Sequence, residues 1–364
     1  MSERERYAYL DIVKCVAMVS VCLYHFPLIA PAAYSDPLSA SVLVSRFFRG
    51  MNAVCVPLFM MVNGALLLNS RFGLKKYALR TLKLFIGVYV WYILTQLVGH
   101  FARNGAEYVA QNLTGILYSA LYLYEYDGIA LTHLWFVQML VAVYLLLPLL
   151  RAVIETGDRE LKTGGAMFLG AMVCLCFLVH DFDHVKGVLP GLRYLDLSCL
   201  ETMNPLRGIY GAMVVYFVLG GLLHRRQHML QKAPLWLPLA MIAGGAAVLF
   251  IEWLLMTKRT ESLYDIVYYG YNCLPTLSMS AGVFMLAARL AEKVLEAVRR
   301  TAAFIGRNTL AIYYTHWILG LLLLEGVSIP GSFAVNLLKA LVMVLIGALI
   351  GEGMRRIPVL RHLI

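Results

Sequence analysis

The chain has 364 residues, of which 61% are hydrophobic and only 14% charged, and its mean hydropathy is +0.74. A soluble domain carries about 25% charged residues, so the composition excludes a soluble globular enzyme and describes a chain embedded in membrane along nearly all of its length. The formal net charge of +10 reads first as basic cytosolic loops, not as a nucleic-acid surface, because Lys and Arg concentrate on the inner side of a membrane protein.

A bilayer core is crossed by about 17–25 apolar residues in helical conformation. Runs of roughly that kind fall at Leu10–Ala30, Met51–Leu68, Leu82–His100, Leu134–Leu150, Ala166–Val179, Ile209–Leu223, Pro234–Met256, Val267–Ala288, Thr309–Gly326 and Phe333–Gly351. The fifth and sixth are short for a span. The expected fold is therefore an all-α, polytopic transmembrane helix bundle of about ten spans. With the N-terminus inside, Lys and Arg fall mostly on the cytosolic side, which predicts that both termini are cytosolic. No cleavage site follows the first run, so the first helix is expected to act as an uncleaved anchor. The extracytoplasmic connections Pro31–Gly50, Phe101–His133, His180–Gly208 and Thr257–Ile266 are long, and such segments suit an acceptor-binding surface.

The first run carries three ionisable residues, Asp11, Lys14 and His25. A charge at membrane depth costs roughly 2.5–3.5 kcal/mol on insertion scales, which makes each a functional candidate. Asp11 and Lys14 stand at i and i+3 and can pair on one face. His25 follows Lys14 by eleven residues, about three turns and about 16 Å of rise, on nearly the same stripe. After the second run, Lys76, Arg80 and Lys83 share one helical face. They read either as an ordinary cytosolic loop or as a clamp for a polyanion, since converging Arg and Lys suit phosphates. Asn63-Gly64 sits inside the second run, where close helix packing is the favoured reading. His133 and Trp135 open the fourth run, with Tyr144 and Pro148 deeper, and His316 lies inside the ninth. The first two fit an aromatic belt or an acceptor site.

His180-Asp-Phe-Asp-His184 has the look of a metal cluster. Its two histidines would converge only on a helix, and spacing fixes no third ligand, so no metal is expected. The seven cysteines lie mostly in apolar runs and read as small core side chains. Glu252 and Lys339 are intramembrane charges for which the sequence names no partner.

Taken together these residues resemble the acyltransferase 3 family of polytopic membrane acyltransferases, over essentially the whole chain. The first-span pattern of a basic residue followed by histidine stands as Lys14 and His25, preceded by Arg6 and Leu10-Asp11. Lys14 takes the place of the more usual Arg and keeps the charge. The second-span pattern stands as Pro57-Leu58-Phe59 and Asn63-Gly64, with Asn63 at a position that is commonly Ser. Arg80 and Lys83 match the basic pair that follows. His133-Leu-Trp135-Phe with Tyr144 and Pro148 is similar to the fourth-span signature, and Ile305-Gly306, Tyr313 and His316 to the late-span one.

The resemblance implies a single integral-membrane acyltransferase domain over residues 1–364 in a bacterial cytoplasmic membrane. It implies an O-acetyltransferase-like reaction that moves an acyl group, commonly acetyl, from cytosolic acetyl-CoA to a hydroxyl of an extracytoplasmic glycan or other envelope molecule. In that reading Arg80, Lys83, Lys76 and Arg6 meet the donor, and its pantetheine arm runs past Lys14. His25 serves as general base, with an acyl-histidine intermediate as the alternative. Lys14 holds the donor or stabilises an oxyanion, Asp11 orients Lys14, and His133, Trp135, Tyr144, Asn63 and His316 line the acceptor side or pore. A transporter or flippase of a small envelope precursor is the competing class. The sequence shows no pair of Gly/Pro-broken spans of the kind that would favour it.

Overall fold

The computed structural model describes residues 7–25, 39–129, 132–186, 191, 195, 197–260, 264–323 and 333–364. Arg6, and the stretch that follows His25, lie outside them. Among the described residues the structure is helical, apart from turns and an isolated bridge between Tyr126 and Ile129. In chain order the helices are α1 (Ala8–His25), α2 (Ala40–Gly50), α3 (Cys55–Leu67), α4 (Leu74–Tyr122), α5 (Trp135–Glu155), α6 (Arg159–Val173), α7 (Val179–Lys186), α8 (Ser198–Glu201), α9 (Ile209–Arg225), α10 (Gln227–Lys232), α11 (Trp236–Thr260), α12 (Ile266–Tyr269), α13 (Leu274–Leu290), α14 (Glu296–Leu323) and α15 (Phe333–Arg356).

Each expected apolar run falls mostly on helix where it is described. Among the described residues, seven helical segments are long and apolar enough to cross a membrane, or eight if the bent pair of Ile266–Asn272 and Leu274–Leu290 is one span. The short fifth run proves to be the apolar centre of a continuous helical segment, Arg159–Lys186. The sixth, α9, is apolar but has only 17 residues.

The structure puts helix into the long connections and breaks one of the expected spans. The connection Phe101–His133 is largely helix, because α4 continues to Tyr122 past a kink where Gly105 adopts φ 84°. That left-handed conformation is one glycine reaches without steric cost. The connection Pro31–Gly50 ends in helix α2, and the one beginning at His180 starts inside α7. Finally, the eighth run is not continuous. It bends by 86° at Cys273, where Pro275 opens α13 at its first turn, a position proline favours.

The chain forms two compact units. The first comprises residues 1–70, 147–306 and 330–337, the second residues 71–146, 307–329 and 338–364. In the first, α3 crosses α9 so closely that a side chain on Gly64 would collide with the Phe217 carbonyl, and one on Gly220 with the Met61 carbonyl. Small residues that let backbones touch are the usual basis of helix association in lipid. This carries the packing reading of Asn63-Gly64, and the Asn63 amide donates to the Phe59 carbonyl of its own helix at 2.8 Å. Two arginines satisfy the carbonyls at the end of α3. Arg151 donates to Leu67 and Ser70, and Arg225 to Leu68, which stabilises a helix C-terminus by charge as well as by hydrogen bonding. In the second unit, Trp91 of α4 stacks on Tyr314 of α14 with ring centroids 4.8 Å apart, and donates to the carbonyl of Leu363 near the chain end.

Candidate active site

In the first unit the site is built on α1. Its face toward the unit is apolar, with Val13, Ala17, Met18, Val21 and Cys22 buried. Of its two charges, Asp11 enters that surface and Lys14 stays half-buried beside it. Asp11 is 4% exposed, and its Oδ1 lies 3.3 Å from Lys14 Nζ, as the i, i+3 spacing predicts. Pairing is what makes such burial tolerable. Asp11 also rests against Gly306, where an added Cβ would stand 2.5 Å from the same Oδ1. Just before it on α1, Tyr9 hydrogen-bonds the buried ring of His224.

His25 is the last residue of α1 and half-buried, with its ring 4.8 Å from that of Tyr24. The final turn is held by residues the sequence did not single out. Arg49 of α2 donates to the Tyr24 carbonyl at 3.2 Å and lies over the Tyr24 ring at 4.9 Å. The Tyr24 hydroxyl donates to Asp265 at 2.8 Å. Asp265 in turn caps α12 through the Val267 amide and lies 4.0 Å from Arg49. The charge of Arg49 meets the negative end of the α1 dipole, and the network fixes the turn that carries His25. Arg49 and Asp265 were not legible because they come from separate helices with no spacing relation to His25.

In the second unit, Lys76, Arg80 and Lys83 lie in the first turns of α4. Lys76 and Lys83 are exposed and Arg80 is half-buried. Lys83 Nζ lies 3.2 Å from His362 Nδ1. Tyr144 of α5 is buried. The structure also joins two residues that the sequence named separately. His133 and His316 are both buried, with rings 5.4 Å apart. Trp317 stacks on His133 at 5.0 Å, and the Tyr313 hydroxyl donates to the His133 carbonyl. Trp135 is half-buried at the start of α5. Lys339 lies in α15, half-buried.

These features define an integral, multi-pass helical membrane protein whose first helix carries a part-buried ion pair and a terminal histidine. The chain matches the acyltransferase 3 family, described as an acyltransferase domain, over residues 7–352, and belongs to it. No curated protein and no solved structure matches it.

Proposed function

We propose that this protein is a membrane O-acyltransferase of a bacterial cytoplasmic membrane, moving an acetyl group from cytosolic acetyl-CoA to a hydroxyl of an extracytoplasmic glycan or other envelope molecule. The observation that carries the reading is α1 itself, in a chain of acyltransferase family. An ion pair between buried Asp11 and half-buried Lys14 lies in its first half, and His25 stands at its end on a turn fixed by Arg49, Tyr24 and Asp265.

In the reaction, the His25 imidazole accepts the proton of the acceptor hydroxyl. The oxygen attacks the thioester carbonyl, the C–S bond breaks, and the coenzyme A thiolate recovers the proton from the imidazolium. A histidine titrates in the range this exchange needs, and such general-base help is worth about 10²–10⁴-fold. Lys14 holds the donor and Asp11 orients it. Arg80 and Lys83, with Lys76, hold the donor phosphates, for which convergent cations are suited. His133, His316, Tyr144 and Trp135 serve the acceptor side.

One observation favours a second reading. The 86° break at Cys273 is a discontinuous helix of the kind transporters place at a substrate site, which the sequence had not suggested. A transporter or flippase does not need acyl-CoA. The deciding experiment is acetyl-CoA binding and turnover by purified protein in detergent, wild type beside His25→Ala. Binding by both, with turnover in the wild type alone, supports the transferase. Folded protein that binds no acetyl-CoA overturns it in favour of transport, and undiminished turnover by His25→Ala removes His25 from the reaction.

A further inference from the structure

The pattern His180-Asp-Phe-Asp-His184 lacked two things as a metal site in the sequence, a helix and a third ligand. The structure supplies both. Residues Val179–Lys186 are helical, directly after a π-helical turn at Cys174–Leu178, so His180 and His184 fall on one face with ring centroids 4.4 Å apart. π-turns inside helices often mark functional positions. Cys273, at the break between α12 and α13, brings its thiol 3.8 Å from His184 Nδ1. Glu252 of α11, an intramembrane charge with no partner visible in the sequence, brings Oε2 3.5 Å from the same nitrogen.

We propose that His180, His184, Cys273 and Glu252 form a binding site for a divalent transition metal of the zinc type. The ligand atoms of His180, His184 and Cys273 all lie within 4.8 Å of one another, and so do those of Asp181, Glu252 and Cys273. A tetrahedral zinc with bonds of about 2.0–2.3 Å needs ligand–ligand edges of about 3.3–3.8 Å. The two distances at His184, 3.5 and 3.8 Å, are already of that size.

The chemistry of the donor set fits as well. Two neutral imidazoles, a thiolate and a carboxylate balance a dication, so the filled site is neutral, which suits burial. Glu252, His184 and Cys273 are all buried. Among the described residues the ion partner of Glu252 is His184, with no Lys or Arg beside it, and Glu252 Oε2 makes no hydrogen bond. A buried carboxylate left so is costly, and a metal removes the cost. Both rings are held from outside, as metal-bound histidines usually are. His180 Nε2 lies 2.8 Å from the Tyr269 carbonyl, which accepts its proton and leaves Nδ1 with a free lone pair. His184 Nε2 lies 3.1 Å from the Tyr264 hydroxyl. Asp181 accepts from the Leu274 amide at 2.9 Å and so ties α7 to the first turn of α13. With four protein ligands the site is closed and structural. It fastens α7, α11 and the bend at Cys273 to one another, and is independent of the acyl-transfer reading.

The test uses full-length protein freed of any histidine tag, stripped with a chelator and returned to Zn²⁺ or Co²⁺. Expected are about one equivalent of zinc per chain at the four-ligand site, a thiolate-to-cobalt absorption band, and a rise in melting temperature that the chelator reverses. Cys273→Ser abolishes the thiolate band, and His184→Asn and Glu252→Gln lose the tight equivalent. Tyr264→Phe, outside the ligand set, weakens binding roughly tenfold. Size-exclusion profile and helicity show that each variant is folded. Folded wild type that takes up no zinc overturns the site and leaves a His184–Glu252 ion pair. Binding that Cys273→Ser and His184→Asn do not change overturns it equally.

Discussion

Asp11 rests directly on Gly306, its Oδ1 2.5 Å from where a Cβ on that glycine would stand. Replacing a helical glycine by alanine ordinarily stabilises by roughly 0.5–1 kcal/mol. Here the methyl group occupies the carboxylate's place, and overpacking costs about 1–3 kcal/mol. Gly306→Ala is therefore expected to lower the melting temperature in detergent and to reduce turnover by disturbing Lys14 through Asp11. A melting temperature at or above wild type, with full turnover, contradicts this contact.

The turn that carries His25 is held through Tyr24. Tyr24→Phe removes its bond to Asp265, a hydrogen bond to a charged group worth about 1.5 kcal/mol or more. The expected result is a drop in kcat at saturating acetyl-CoA with donor affinity unchanged, since no donor contact is assigned to Tyr24. Arg49→Gln should act in the same direction. Steady-state kinetics separate this from a donor-binding defect, which raises KM instead.

Arg80 and Lys83 stand on one face of the first turns of α4. Their joint replacement by alanine is expected to weaken acetyl-CoA binding by about tenfold or more, a loss of about 1.4 kcal/mol, while kcat changes little. Wild-type binding should weaken as salt is raised, because exposed charges are screened. Calorimetric titration of the double variant reads the effect, and an unchanged affinity assigns the phosphates elsewhere.

The α3–α9 crossing leaves no room for a side chain at Gly64 or Gly220. Gly64→Ala and Gly220→Ala are each expected to destabilise by about 1–3 kcal/mol, with a reduced yield of folded protein. Thermal unfolding checks this, and a neutral Gly64→Ala contradicts the backbone contact with Phe217.

Much of the fold was legible because it is local. An apolar run satisfies its own backbone by forming a helix, so the described parts of the expected runs are mostly helical. Where the reading failed, a local signal was present but weak. Gly270 and Pro275 flank the break at Cys273, but apolar residues continue on both sides and mask it in the sequence. Of the helix beyond Gly105, the sequence shows only the apolar stretch Gly115–Tyr124, which suits a half-helix or an interfacial helix and is too short to span.

By itself, the sequence determined the membrane character, the helical class and the Asp11–Lys14 pair, all properties of residues within a turn or two of each other. The tertiary structure alone decided that Arg49 and Asp265 hold the end of α1, that His133 meets His316, and that Cys273 meets His184 across a separation of 89 residues. Helical periodicity fixes which side chains share a face. Which faces then meet is set by packing between distant helices, where positions such as Gly64 and Gly306 admit a close neighbour, and no spacing along the chain records that.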